Sequence, residues 1–178
     1  MGGRSSVEIR EATPDDADPV VDLWAELATD QRRYGSHLRA EPNRTAVRET
    51  IARRVVADEL LIADDEDVSP GLTGFVMFSH EHGVYEQDVT RGLIDALFVR
   101  SSSRGRGIGT RLLEAAETRL REAGVDAVAL ETLAGNVDGR RFYRRHGYDP
   151  HRIEFEKRLD EDDADGGADG GVDDVDEN

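Results

Sequence analysis

The chain has no cysteine, one lysine (Lys157), one tryptophan (Trp24) and no long apolar run among its 178 residues. Without cysteine there can be no disulfide, thiolate metal site or cysteine nucleophile. Hydrophobic residues make up 37% of the chain and are dispersed, which predicts no membrane span. Met1–Arg10 lacks the apolar stretch of a secretory signal. Met1-Gly2 with Ser6 matches an N-myristoylation pattern only in form, since a flexible tail starts the same way. The five histidines are scattered, and in His80-Glu81-His82 the central residue of a strand would face away from its neighbours. No metal site is expected, and the cytoplasm is the expected compartment.

What is abundant is charge of one sign. The formal net charge is −16, and 22 of the 23 basic residues are arginine. Residues 1–90 carry −10, residues 91–159 carry +4, and residues 160–178 carry −10. Heavy acidity with lysine almost absent resembles the composition of proteins from salt-accumulating halophiles, where molar salt cuts the Debye length to about 3 Å and screens self-repulsion. Such a chain is a poor nucleic-acid ligand. The basic and aromatic run Arg140-Arg141-Phe142-Tyr143-Arg144-Arg145 reads as a solvated helix face, because Arg140 and Arg144 share a side from which Phe142 turns away.

The net-basic segment holds the most informative feature. Leu93–Val99 is a short apolar run bounded by Gly92 and by Ser101–Ser103, the pattern of a buried strand. From Ile108 the period changes: Ile108, Leu112, Leu113, Ala116 and Leu120 recur at helical spacing, and Gly124 closes the helix. Between them stands Arg104-Gly105-Arg106-Gly107-Ile108-Gly109. A helix N-terminus offers unpaired N–H groups and a partial positive charge, and glycines let a phosphate approach them. A dinucleotide fingerprint is not met, because Thr110 stands where the third glycine would fall, and no lysine is present for a Walker A loop.

What remains is R-x-x-G-x-G, as Arg104, Gly107 and Gly109, followed about one strand later by Asn136, Gly139, Phe142, Tyr143, Gly147 and Tyr148. Together these resemble the acetyl-CoA loop and the N-x-x-A-x-x-F/L-Y-x-x-x-G-F segment of the GCN5-related N-acetyltransferase (GNAT) superfamily. Gly139 for alanine and Tyr148 for phenylalanine are mild departures. The resemblance covers residues 91–159; over residues 7–90 it is an order of elements only.

The resemblance implies an α/β (α+β) fold with a mixed, mostly antiparallel sheet and helices on both faces, as one domain over residues 1–159. It implies acetyl-CoA as acyl donor, with Leu97, Phe98 and Val99 lending main-chain groups to the pantetheine arm. The diphosphate would sit on Arg104, Gly105, Arg106, Gly107, Ile108, Gly109 and Thr110, and Asn136 near the thiol end. Tyr143 would contact the cofactor and return a proton to the departing thiolate, since a phenol with a pKa of about 10 stays protonated at neutral pH. Asp95, a lone carboxylate in an apolar strand, is the candidate base, because burial raises a carboxylate's pKa. It could instead simply pair with an arginine; Glu131 and water are the rivals. The acceptor is a small-molecule amine or a peptide N-terminus, and homodimers are common among relatives. A CoA-binding sensor without catalysis, or a nucleotide-binding protein using the same loop, are the other readings.

Elsewhere the pattern predicts a strand at Val7–Arg10 and a helix capped at Thr13 with Val20, Leu23, Trp24 and Leu27 inward. A polar connection follows over Gln31–Arg44, then a helix opening at Thr45 with Val47, Ile51 and Val55 inward. Strands are expected at Leu60–Ala63 and Leu72–Phe78 around an acidic turn at Asp64–Asp67, then a polar connection over His80–Thr90 and a strand at Ala127–Thr132. The Asp/Gly/Ala tail over residues 160–178 cannot bury apolar surface and is expected to be disordered.

Overall fold

The computed structural model describes residues 7–65, 71–81 and 85–159, and the chain divides into two compact units between Arg141 and Phe142. The expectations for Met1–Ser6, for Glu66 and Asp67 of the acidic turn, for His82 and for the tail lie outside the described residues.

The first unit is built on five strands in sequence order: β1 (Glu8–Glu11), β2 (Leu60–Asp64), β3 (Leu72–His80), β4 (Arg91–Val99) and β5 (Ala127–Leu130). Neighbours are antiparallel except β4 and β5, which run parallel. β2 and β3 are apolar on successive residues and buried nearly throughout, as central strands covered on both faces must be. One face is covered by α1 (Ala17–Gln31) and α2 (Ala40–Val56), where Val20, Leu23, Trp24 and Ile51 join Leu60, Ile62, Phe75, Met77 and Phe98 in one core. The other is covered by α3 (Ile108–Glu122), whose Leu120 lies so close to Gly92 that a Cβ there would meet it at 2.8 Å. Trp24 is 8% exposed, a core residue as its helical register implied.

The start of α1 follows from local chemistry. Thr13 and Asp16 form a capping box around Pro14, which opens a 3₁₀ turn (Pro14–Asp16) leading into α1. Burial alone would raise the Asp16 carboxyl, yet its bonds from Arg10 and Thr13 outweigh that and hold it down at about 2.

Most strand boundaries move by one or two residues, so that β5 stops at Leu130 and not Thr132 and β2 takes in Asp64 of the expected turn. Two differences have a visible cause. α2 begins at Ala40, five residues before Thr45. Pro42 falls in its first turn, where a missing N–H costs nothing, so the cap-like Thr45 marks no start. The connection expected over Gln31–Arg44 is therefore shorter: Gln31 ends α1, a 3₁₀ turn at Arg32–Tyr34 is ended by Gly35 at φ +94°, and residues 40–44 already belong to α2. β3 continues to His80, because Glu81 N donates to Arg91 O at 2.8 Å and the Glu81 carboxylate pairs with Arg91 at 3.1 Å. Among the described residues no helix is long and apolar enough to cross a membrane.

Candidate active site

β4 passes through a 3₁₀ turn (Ser101–Ser103) into the glycine-flanked loop and then α3. Gly105 and Gly107 hold φ of +78° and +76°, the left-handed region that L side chains avoid. A Cβ at either would meet nothing within 4 Å, so both glycines open onto free space and not onto packed protein. Gly107 is the N-cap of α3, and the first rung of the helix runs from Arg111 N to Gly107 O at 3.1 Å. The amides of Ile108, Gly109 and Thr110 therefore stand ahead of the helical ladder, where an anion is favoured.

The arginines of this loop turn back onto the protein. Arg104 Nε donates to Val99 O at 2.9 Å, its guanidinium lies 5.7 Å above the Phe98 ring, and it reaches Asp30 at 3.4 Å. Arg106 Nη1 donates to Asp65 Oδ2 at 2.8 Å, and the Asp65 side chain is only 1% exposed. Backbone amides, more than guanidinium tips, are what the loop presents.

β4 supplies the second feature. Its pairing with β5 ends at Ile94–Leu130, so among the described residues Ala96–Val99 pair with β3 alone. Leu97, Phe98 and Val99 thus lie on a strand with one open edge, onto which an extended chain can add. The β3–β4 register also slips: Met77 faces Ala96 and Phe78 faces Ile94, which leaves Asp95 as the extra residue of a β-bulge. The Asp95 side chain is 29% exposed whereas the whole residue is exposed, so the bulge opens the main chain more than the carboxylate.

Asp95 is not a lone carboxylate. Arg54 from α2 pairs with it at 2.8 Å and Ser79 Oγ donates to it at 3.3 Å; Arg54 also holds Glu59 at 2.5 Å. Burial raises the Asp95 carboxyl above its ordinary value, with Arg54 and Ser79 opposing and Glu59 assisting. Glu131 lies exposed just beyond β5.

The second motif frames a helix, α4 (Val137–Arg145). Asn136 Oδ1 accepts from Gly139 N at 2.9 Å, an N-cap that the sequence reading did not foresee. In the second unit, Gly147 at φ +86° terminates α4: Tyr148 N donates to Tyr143 O at 3.1 Å and Gly147 N to Arg144 O at 3.1 Å. This is a Schellman motif, and its accompanying apolar contact is Tyr148 edge-on to Tyr143, ring centres 5.9 Å apart. Phe142 packs against Tyr143 at 5.2 Å and His146 at 4.4 Å. Burial pushes the Tyr143 phenol up to about 12.

Arg54, Ser79 and Asp65 are the site neighbours that sequence reasoning missed. The carboxylate that interrupts the apolar run at Asp95 was the only signal for the first two, and nothing local pairs Asp65 with Arg106. A recess of about 250 Å³ between α1 and α2 is lined by Asp18, Asp22, Arg44 and Arg48, which pair with one another; it is the seam between two helices.

The profile of the Acetyltransferase (GNAT) family matches residues 22–148. The aminoalkylphosphonate N-acetyltransferase of Salmonella typhimurium is 32% identical over 156 residues, 85% of this chain and 91% of its own length. Among solved structures, the BH1408 protein of Bacillus halodurans superposes with a TM-score of 0.73 at 23% identity, over 85% of this chain and 99% of that one. An aminoglycoside N-acetyltransferase, AAC(6')-Iy, solved in complex with CoA, superposes with a TM-score of 0.69 at 18% identity, over 89% and 99% of the two chains. At those identities the structural likeness speaks for the fold alone.

Proposed function

The chain belongs to the GNAT acetyltransferase family and is an acyltransferase, and we propose that it carries the acetyl group of acetyl-CoA to a primary amine by direct transfer in a ternary complex. The observation that carries this reading is the loop at the start of α3, where two left-handed glycines open main-chain donors to solvent beside the free edge of β4. The diphosphate is held by amides of residues 105–110, and the pantetheine arm lies along Leu97, Phe98 and Val99 as an added strand. Main-chain donors at the Asp95 bulge meet the carbonyl oxygen as negative charge develops on it.

Asp95 serves as the base for the acceptor amine, its carboxyl raised by burial and restrained by Arg54. Tyr143 donates the proton that the CoA thiolate takes up. With its pKa at about 12 the phenol keeps that proton throughout the neutral range. The absence of cysteine supports direct transfer, since no thiol is present to form an acetyl-enzyme. The acceptor is a small-molecule amine, a choice supported by the Salmonella aminoalkylphosphonate acetyltransferase being a relative that covers nearly the whole chain. The acidic, lysine-poor composition favours a cytoplasm rich in salt.

Thiol release from acetyl-CoA, measured in concentrated KCl against a panel of small amines, is the direct test. Turnover with at least one amine is expected, and folded protein that binds no CoA by calorimetry overturns the reading. In the same assay Tyr143→Phe is expected to lower kcat by about a hundredfold with KM for acetyl-CoA within twofold. Unchanged kcat would remove Tyr143 from the chemistry.

A further inference from the structure

The loop that offers its amides to the diphosphate contains glycines at 105, 107 and 109, and glycine loses more freedom on ordering than any other residue. Such a backbone needs a fixed point. Ile108 supplies one from within α3, 2% exposed in the core beneath the helix. The other lies across the sheet. Arg106, between the two left-handed glycines, is tied at 2.8 Å to Asp65, the first residue after β2. Asp65 is itself held firmly: its N–H donates to Gly71 O at 2.7 Å at the base of the β2–β3 connection, and its carboxylate is 1% exposed.

Asp64 and Asp65 thus divide two tasks. Asp64 faces Arg10 at 2.7 Å and joins β1 to the start of α1 through Asp16. Asp65 faces the other way, to the loop. We infer that Asp65 is a positioning residue for the diphosphate loop, holding Arg106 so that the amides around it are aimed before the ligand arrives. The inference rests on the acetyl-CoA reading above. A carboxylate excluded from water is screened weakly by mobile ions, so the anchor keeps its strength in molar salt where exposed pairs fade.

The inference differs in sign from simple electrostatics. If charge alone mattered, removing an acid near an anion site would tighten CoA. If Asp65 aims the loop, removing it weakens CoA although a negative charge has gone.

CoA and 3′-dephospho-CoA are titrated by calorimetry into the wild-type protein and Asp65→Asn, at a temperature where melts show both folded. Asp65→Asn is expected to lose about tenfold in affinity for both ligands, which share the diphosphate, and to raise KM for acetyl-CoA by the same factor with kcat within twofold. Equal or tighter binding by folded Asp65→Asn overturns the inference, and so does a loss confined to CoA, which would put Arg106 on the 3′-phosphate. Should Asp65→Asn fail to fold, Asp65→Asn/Arg106→Gln removes both charges and leaves neither buried alone; it too is expected to lose about tenfold for both ligands, and full affinity overturns the inference. Wild-type protein that binds neither ligand sinks the acetyl-CoA reading together with the inference, whereas binding by the wild type with no loss in the variants sinks the inference alone.

Discussion

The two flanks of the sheet use the same residue, arginine, to opposite ends. Beside the loop that opens α3, Arg104 and Arg106 secure the backbone, one on a main-chain carbonyl and the other on a buried carboxylate, and the groups left for a ligand are peptide amides. On α2 the arginines reach outward to other elements: Arg48 to Asp18 at 2.6 Å and Arg44 to Asp22 tie it to α1, and Arg54 ties it to Glu59 before β2 and to Asp95 on β4. The Arg48 and Arg44 pairs are exposed and weakened by salt, whereas the two Arg54 pairs are half-buried. α2 has only one fully buried side chain, Ile51, whereas α3 buries five. The loop at the start of α3 is therefore defined by backbone conformation. α1 is held by its apolar face in the core, and α2, with one buried side chain, leans more on pairs whose strength follows ionic strength; α2 is the element that carries Arg54 to Asp95.

The largest effect is expected where backbone conformation is irreplaceable. Gly107→Val puts a β-branched residue at φ +76°, where even an unbranched side chain costs about 1–2 kcal/mol, and pulls the first amides of α3 out of line. CoA affinity is expected to fall by at least about a hundredfold, read by calorimetry on protein whose melt shows the sheet intact. A loss under tenfold would mean that the loop is not held by its backbone, and the contrast between the flanks would dissolve.

On the α1–α2 flank the response should appear in pH dependence more than in affinity. Arg54 opposes the upward shift that burial imposes on Asp95. Arg54→Gln removes the opposition, so the carboxyl rises further and is protonated at a higher pH. A base is active only when deprotonated, so the acidic limb of the kcat profile moves upward. Roughly tenfold is lost at mildly acidic pH and less than twofold at alkaline pH. In Asp95→Asn that limb should be absent and insensitive to Arg54→Gln. An acidic limb that survives Asp95→Asn unchanged would assign the base elsewhere, with Glu131 and water the remaining candidates.

The same contrast explains what could be read from the sequence. The loop, the helix that follows it, the end of α3 at Gly124 and the strands on either side all obey short-range rules, since glycine, cap and apolar period are printed within ten residues of where they act. Asp95 stood out because a carboxylate interrupts an apolar run, yet its meaning depends on Arg54, 41 positions earlier, and on a slip in register that no local pattern encodes. Asp65 read as one more acid in a turn, because its partner lies on a different connection. The early start of α2 was hidden by Pro42, a residue that ends helices in most positions and is harmless in the first turn. Asn136 and Gly147 were both matched to a motif, Asn136 alone as a cofactor contact, and both prove to have work at the ends of α4.

The smallest effect is expected at Gly139, where the chain departs from the alanine usual in its family. A Cβ there would lie 2.7 Å from Asn136 Nδ2 and 2.9 Å from its Cγ, so alanine must drive the Asn136 side chain out of its capping position. Losing the cap costs about 1 kcal/mol; replacing a helical glycine by alanine returns about the same. Gly139→Ala should therefore shift the unfolding free energy by less than about 0.5 kcal/mol, a change read as a small displacement of the melting midpoint. It also frees the Asn136 amide, so KM for acetyl-CoA should fall if that amide serves the cofactor and stay put if capping is its whole task. A destabilisation of about 2 kcal/mol would show that the cap cannot be exchanged for helix propensity, and that the glycine here is required by the asparagine beside it.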